Sequence, residues 1–290
     1  MQIDESYVRP GTMTAAGRYA PLLEALPGDV AGLAAVEHGL LIHEFLAAAY
    51  GVTLTEEDRA SVHLRPVEAI LEQIVARDGR PLGLAREPAG RLATNCRGFT
   101  VLMVAMLRAH GTPARARCGF GGYFTAGRFE DHWVCEYWNG ARWALVDAQI
   151  DERQKEMFGI GFDVTDVPRD RFLIAGDAWA ACRRGEADPS VFGLTMVNEA
   201  GDWWIASNLV RDAAALDNLE LLPWDDWGTA MPGPDDKIDE ELAGLFDRLA
   251  ALTQDPDANL AGLRATMRGD DRVRVPAAVH NYARQRYETI

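Results

Sequence analysis

The chain has 290 residues, of which 48% are hydrophobic and 25% are charged, a balance typical of a globular protein with a substantial core. Long disordered, collagen-like and repeat architectures are therefore not expected. The formal net charge of −15 predicts an acidic surface that repels phosphate backbones, so no nucleic-acid partner is expected.

The first third of the chain has the hydrophobic spacing and capping residues of helices. One helix should begin after Asp29 and continue to Tyr50, a short one should follow Thr55, and a third should begin after Pro66. Residues 1–88 therefore form a predicted helical N-terminal segment.

The middle of the chain changes character. Residues Cys96 to Ala109 are hydrophobic nearly all round, which predicts a buried helix, and the three segments after it have the composition of antiparallel strands. We predict an α+β fold with a core at 89–165 and a mostly helical segment at 166–290 packed on that core. The three predicted strands are 114–124, 132–138 and 143–149.

Targeting signals and metal motifs are missing from the sequence. No segment has the ~18–20 consecutive apolar residues of a membrane-spanning helix, and the start of the chain does not resemble a secretory signal. The four cysteines lack CxxC spacing, which argues against a disulfide framework and a zinc site. We therefore expect a cytoplasmic protein with reduced thiols, no membrane partner, no metal and no other cofactor. The cysteines are Cys96, Cys118, Cys135 and Cys182.

Cys96 stands where a loop becomes a helix. Thr94 and Asn95, which precede it, are both good N-cap residue types. The free N–H groups and the dipole of a helix N-terminus stabilise a thiolate, which is the nucleophilic form of cysteine. The other cysteines are predicted to be small buried hydrophobic residues.

A predicted hairpin supplies a histidine and a carboxylate. Asn139-Gly140 is a strong signal for a two-residue loop, which sets Trp138 opposite Ala141 and, further out, His132 opposite Asp147. The aspartate would then hold the imidazole. Together with Cys96, these residues have the side chains that nucleophilic acyl transfer requires.

These segments resemble those of a known family. Asn95–Arg117 is similar to the nucleophile helix and following strand of the transglutaminase-like superfamily, and Asp131-His132-Trp133-Val-Cys-Glu-Tyr-Trp-Asn-Gly and Arg142-Trp-Ala-Leu-Val-Asp147 resemble its histidine and aspartate strands. The resemblance covers about residues 90–150. It implies a papain-like cysteine-enzyme core with Cys96 as nucleophile, His132 as base and Asp147 as orienting carboxylate.

The predicted function is thiol-dependent acyl chemistry on an amide-type carbonyl of a peptide or small molecule. It would proceed through a Cys96 thioester resolved by water or an amine. The Cys96 backbone N–H is the first candidate for the oxyanion donor and Asn95 is the second. The cross-linking members of the family carry a tryptophan upstream of the nucleophile, whereas the first tryptophan here is Trp133.

Two other functions remain open at this stage. The first is a non-catalytic binding module that retains the fold, and the second is an acidic adaptor acting through its C-terminal helices. Four further side chains either line a substrate pocket or pack in the interior: Trp133, Trp203, Trp204 and Asn208.

Overall fold

The computed structural model describes residues 3–290 and has 44% helix and 16% strand, which confirms the α+β fold class. The chain divides into two compact units. The first unit contains the residues up to Ala116 together with Val134–Val167, and the second contains Arg117–Trp133 and Pro168–Ile290. Each unit is therefore built from two separate stretches of the chain.

The first unit contains the N-terminal helices, a buried helix and a hairpin. Its helices are α1 (Ala20–Glu24), α2 (Val30–Leu40), α3 (Glu56–Ser61), α4 (Val67–Arg77), α5 (Cys96–Ala109) and α6 (Glu152–Phe158). Its strands are β1 (Leu41–His43), β2 (Leu92–Thr94), the start of β3 (Ala114–Gly121), the end of β4 (Phe129–Trp138) and β5 (Trp143–Val146). The predicted capping box that opens α3 is present.

The predicted helix from Asp29 to Tyr50 is shorter in the structure. Asp29 caps α2 by accepting the Gly32 N–H at 2.8 Å, as expected, but the helix ends at Leu40. Residues 41–43 form β1 instead, which pairs in parallel with β2. All three β1 residues are buried. Their pairing with a strand about fifty residues further along the chain outweighs the local helical pattern.

Helix α5 has the predicted bounds, and every residue from Cys96 to Arg108 is buried. Its first turn is held by Asn95, whose Oδ1 accepts the Gly98 N–H at 3.1 Å. The Thr94 hydroxyl occupies the space in which a side chain at Gly98 would lie. Because Gly98 has no Cβ, Thr94 at the end of β2 can pack directly against the first turn of α5.

The predicted register of the β4–β5 hairpin is wrong, because the loop lies one residue later in the chain than predicted. Trp138 pairs with Trp143, not with Ala141, and the pairing continues to Cys135 and Val146. Asn139 lies before the turn, where its Oδ1 accepts the N–H groups of residues 141 and 142, and the positive φ of 95° falls on Gly140. The Asn139 side chain thus replaces a backbone acceptor and moves the loop forward by one residue. Each paired residue of β4 therefore faces the β5 residue two positions later than predicted. Because side chains alternate along a strand, a shift of two positions leaves each β5 side chain on its predicted face of the sheet.

The second unit combines strands at its start with helices that follow. Its strands are the rest of β3 and β4, then β6 (Phe172–Ile174), β7 (Phe192–Leu194), β8 (Glu199–Ala200), β9 (Asp225–Asp226), β10 (Ala278–Asn281) and β11 (Arg286–Thr289). Its helices are α7 (Ala175–Arg183), α8 (Asp202–Leu216), α9 (Glu240–Gln254) and α10 (Pro256–Gly269). Strand β7 pairs in parallel with β4, so the predicted antiparallel meander is only part of the arrangement.

Among residues 3–290, no helix combines the length and apolar character needed to cross a membrane.

A buried ion pair fastens β3 to α8 inside the second unit. The Arg117 guanidinium donates to both carboxylate oxygens of Asp212, at 3.0 and 2.8 Å, and both side chains are at most 1% exposed. Asp212 also accepts the Cys118 N–H, and Arg117 also donates to the Thr253 carbonyl. These further bonds satisfy charges that would otherwise be costly to bury.

Candidate active site

Cys96 is the first residue of α5 and is 8% exposed. In an α-helix the first N–H groups have no partner within the helix, so the backbone at Cys96 presents donors beside the thiol. The sulfur thus lies at the positive end of a fourteen-residue helix, as the sequence predicts.

Asn95, the second candidate for the oxyanion donor, has a structural role in the first unit. Its Oδ1 caps α5, and its Nδ2 donates to the Val62 carbonyl at 3.1 Å. The side chain is 4% exposed. Because one amide hydrogen is committed to Val62, Asn95 has less capacity than the Cys96 backbone to stabilise a developing oxyanion.

His132 lies on β4 in the second unit and is 2% exposed. Three aromatic rings surround the imidazole: Phe124 at a centroid distance of 4.8 Å, Tyr123 at 6.1 Å and Phe172 at 6.3 Å, all with steep interplanar angles. This aromatic cage restricts the orientation of the ring.

Asp147 follows β5 in the first unit and is 1% exposed. Its N–H donates to the Val164 carbonyl at 2.8 Å, and its Oδ1 accepts the Gln149 N–H at 3.2 Å. These bonds turn the chain away from the strand direction, which explains why β5 ends at Val146 and not at Gln149 as predicted.

A second carboxyl group, Glu37 on α2, is buried in the same unit. Burial raises the pKa of Glu37 well above its ordinary value, and the negative charge of Asp147 raises it further. Neither oxygen of Glu37 has a hydrogen-bond partner, and the residue is fully buried. The surroundings of Glu37 therefore favour its neutral form.

The second unit brings Trp204 and Asn208 of α8 to Asp131, the residue before His132. The Trp204 Nε1–H donates to Asp131 Oδ2 at 2.8 Å. Burial raises the pKa of Asp131, whereas the charge of Arg211 and hydrogen bonds from Trp204 and Asn208 lower it in part. Asn208 Nδ2 has no partner of good geometry, so its bond to Asp131 is a weak one.

The remaining tryptophans differ in their surroundings. Trp133 is 1% exposed, so it packs in the interior and does not offer an open face to a ligand. Trp203 is partly exposed and contacts Trp204 edge to face at 4.9 Å. Trp203 and Trp204 therefore remain the aromatic side chains of this group with accessible surface.

A polar pocket of about 200 Å³, part of it open to solvent, lies within the first unit. Phe99, one turn after Cys96 on α5, is part of its wall, and so is Gln149, two residues after Asp147. The polar lining residues are His38, His43, Tyr50, Arg91, Gln149, Asp151 and Gln154. In the part of the chain that the structure describes, no group of three or more His, Cys, Asp or Glu side chains could hold a metal ion.

Sequence reasoning missed the roles of Asp131, Glu37 and His38. The partners of these residues are distant in sequence: Trp204 for Asp131, and the Ala148 carbonyl for His38. The sequence signal for Asp131 was its place next to His132, in the segment that resembles the histidine strand of the family. For Glu37, the hydrophobic neighbours on α2 offered no indication of a buried charge site.

Comparison with known proteins supports the predicted resemblance. Residues 73–148 match the family model of the transglutaminase-like superfamily, and this segment contains Cys96, His132 and Asp147. A solved structure called a "putative cysteine protease" from Cytophaga hutchinsonii is 17% identical, with a TM-score of 0.34. That alignment covers 51% of this chain and 43% of the other, and it carries no argument about the site. No curated protein matches the chain.

Proposed function

We propose that the protein catalyses thiol-dependent acyl chemistry on an amide-type carbonyl, with Cys96 as nucleophile, His132 as base and Asp147 as orienting carboxylate. The observation that carries the proposal is the position of Cys96 at the N-terminus of α5, inside the segment that matches the transglutaminase-like model. A thiol at this position has backbone donors beside it, which favour both a thiolate and an oxyanion.

The observed strand pairing changes the argument for the histidine and the carboxylate. The pairing of β4 with β5 ends at Cys135 and Val146, one residue before Asp147, so the predicted direct opposition of His132 and Asp147 is wrong. Support for the roles of these two residues comes instead from their places in the segment that matches the transglutaminase-like model.

The proposed reaction has two steps. The Cys96 sulfur attacks the carbonyl carbon, the C–N bond breaks, and His132 transfers the thiol proton to the departing amine, which leaves a thioester. Water or an amine, deprotonated by His132, then attacks the thioester carbon and releases the Cys96 thiol. Asp147 stabilises the imidazolium in each step. The Cys96 backbone N–H donates to the carbonyl oxygen while that oxygen carries negative charge.

Acyl-enzyme trapping tests this proposal directly. The full chain is incubated with a panel of activated acyl amides and esters, and intact-mass spectrometry with peptide mapping locates any acyl group. We expect acylation at Cys96 in the wild type and none in Cys96→Ala. Cys182→Ala, which removes the partly exposed thiol of α7, is the matched control and should acylate at the wild-type rate.

The other two residues are tested by rate. His132→Gln should lower the acylation rate ~100-fold or more, because general acid–base catalysis is lost. Asp147→Asn keeps the shape but removes the charge, and should lower the rate roughly 10- to 1000-fold. Thermal unfolding of each variant establishes that it folds. Acylation that persists in Cys96→Ala, or an unreactive wild type across the panel, would contradict the proposal and favour a non-catalytic binding module.

A further inference from the structure

The polar pocket of the first unit has two buried acceptors that lack donors. The Nε2 atom of His38 and the Oε1 atom of Gln149 are both buried, and neither has a hydrogen-bond partner. Both residues line the pocket, and Gln149 is only 4% exposed. Unpartnered buried polar atoms are rare in native proteins because each costs desolvation free energy, so their presence in one pocket calls for a ligand.

The free atom of Gln149 is identified by a chain of hydrogen bonds that starts at Asp151. A carboxylate only accepts, so the Tyr50 hydroxyl donates to Asp151 at 2.7 Å and itself accepts from Gln154 Nε2 at 3.1 Å. Gln154 Nε2 also donates to the Gln149 carbonyl, so Gln154 Oε1 is the atom that accepts from Gln149 Nε2, at 3.1 Å. The end of this chain is Gln149 Oε1, which is an acceptor.

The free atom of His38 is an acceptor as well. The imidazole hydrogen-bonds to the Ala148 carbonyl, a group that only accepts, so the ring nitrogen facing Ala148 is Nδ1–H. Burial lowers the pKa of His38, which keeps the ring neutral at pH 7 and leaves a lone pair on Nε2.

We infer that this pocket binds a primary ammonium group, whose N–H bonds are donated to His38 Nε2 and Gln149 Oε1. Much of the 200 Å³ is open to solvent, and the part of the pocket that a water-sized group can occupy holds about one such group, which an ammonium group matches in size. Asp151 supplies a negative charge on the pocket wall, and an ammonium group offers three donors and no acceptor. Arg91 also lines the pocket, but its Nε donates to the Arg86 carbonyl. This binding site does not depend on the reactivity of Cys96.

A ligand series on the Cys96→Ala chain tests the inference apart from any catalysis. Ethylammonium is titrated at pH 7.5 and followed by the NMR shifts of the His38 ring, with saturation expected in the millimolar range for so small a ligand. Tetramethylammonium has the same charge without an N–H donor, and acetate has the opposite charge. We expect saturable shifts with ethylammonium and none with the other two.

Variants then connect the binding to the two acceptors. Gln149→Leu, followed by the His38 ring shifts, and His38→Phe, followed by the side-chain amide shifts of Gln149, should each weaken ethylammonium binding at least ~10-fold, the effect of losing one charge-assisted hydrogen bond. The matched control is Gln73→Leu, the same change on the exposed face of α4, which should bind as the parent chain does. The ligand series needs no substitution and stays decisive if a pocket variant fails to fold.

Three outcomes would overturn the inference. Absence of saturable shifts with ethylammonium would mean that water alone occupies the pocket. Equal binding of tetramethylammonium would assign recognition to charge and not to the two acceptors, and binding of acetate would assign it to Arg91.

Discussion

The reactivity of Cys182 should be much lower than its exposure suggests. Cys182 is the partly exposed cysteine, whereas Cys96 is 8% exposed and Cys118 and Cys135 are fully buried. Burial, together with the negative charges of Asp202 and Asp188, raises the pKa of Cys182 to about 11. The residue also lies in the last turn of α7, where the helix dipole disfavours an anion.

The size of the effect follows from the fraction of thiolate. At pH 7.5 a thiol with a pKa near 8.5 is about 9% thiolate, whereas one with a pKa of about 11 is about 0.03% thiolate, a difference of ~300-fold. A more basic thiolate is more nucleophilic, and a Brønsted slope near 0.45 restores about tenfold over this range. Cys182 should therefore alkylate roughly 30-fold more slowly than a free cysteine peptide.

Brief iodoacetamide treatment followed by peptide mapping measures this rate. In the wild type, Cys96 should be modified first and at least as fast as a reference peptide. In Cys96→Ala, the slow modification of Cys182 should be measurable alone and should rise about tenfold from pH 7.5 to pH 8.5. Modification of Cys182 before Cys96, or at the rate of the free peptide, would refute the reasoning from burial and helix position.

Three further predictions concern stability, each measured by urea unfolding. Burial raises the pKa of Glu44 to about 7, so the folded protein resists ionisation of this carboxyl group. The free energy of unfolding of the wild type, relative to Glu44→Gln, should therefore fall by at most about 3 kcal/mol as the pH rises from 4.5 to above 7. A difference that stays constant with pH would contradict the raised pKa. Asp212→Ala should lower the free energy of unfolding by about 3–5 kcal/mol, because the buried Arg117 charge loses its carboxylate, and a loss below about 1 kcal/mol would be inconsistent with the ion pair. Gly98→Ala should lower the free energy of unfolding by about 1–3 kcal/mol, because the added methyl group overlaps the Thr94 hydroxyl. Adding Thr94→Ala should restore most of that free energy, and no recovery would exclude the overlap as the cause.

Local sequence signals predicted the elements that depend on local chemistry. Helix α5 has its predicted bounds because Asn95 caps it and the apolar run continues without interruption. The shortened α2 could not be predicted, because β1 exists through its pairing with β2. The hairpin register depended on whether Asn139 lies within the turn or before it, and its side-chain bonds decide that.

Within the candidate site, the sequence identified residues by type and motif but could not supply their surroundings. The pocket joins His38 to residues more than one hundred positions later, and no periodicity encodes such a contact. The link between Asp131 and Trp204 is of the same kind: a hydrogen bond between a strand and a helix far apart in the chain. Tertiary packing creates these contacts, and it is not read from local patterns.

The division of each unit into two stretches of chain has a consequence for synthesis. The first unit is incomplete until residue 167 has been made, and by then 117–133, which belongs to the second unit, has long been present. Asp212 follows Arg117 by 95 residues, so at ~5–20 residues per second the arginine waits about 5–20 s for its carboxylate. During that interval the chain lacks the carboxylate that Arg117 binds in the folded unit, so β3 cannot complete its packing against α8 until Asp212 has been made.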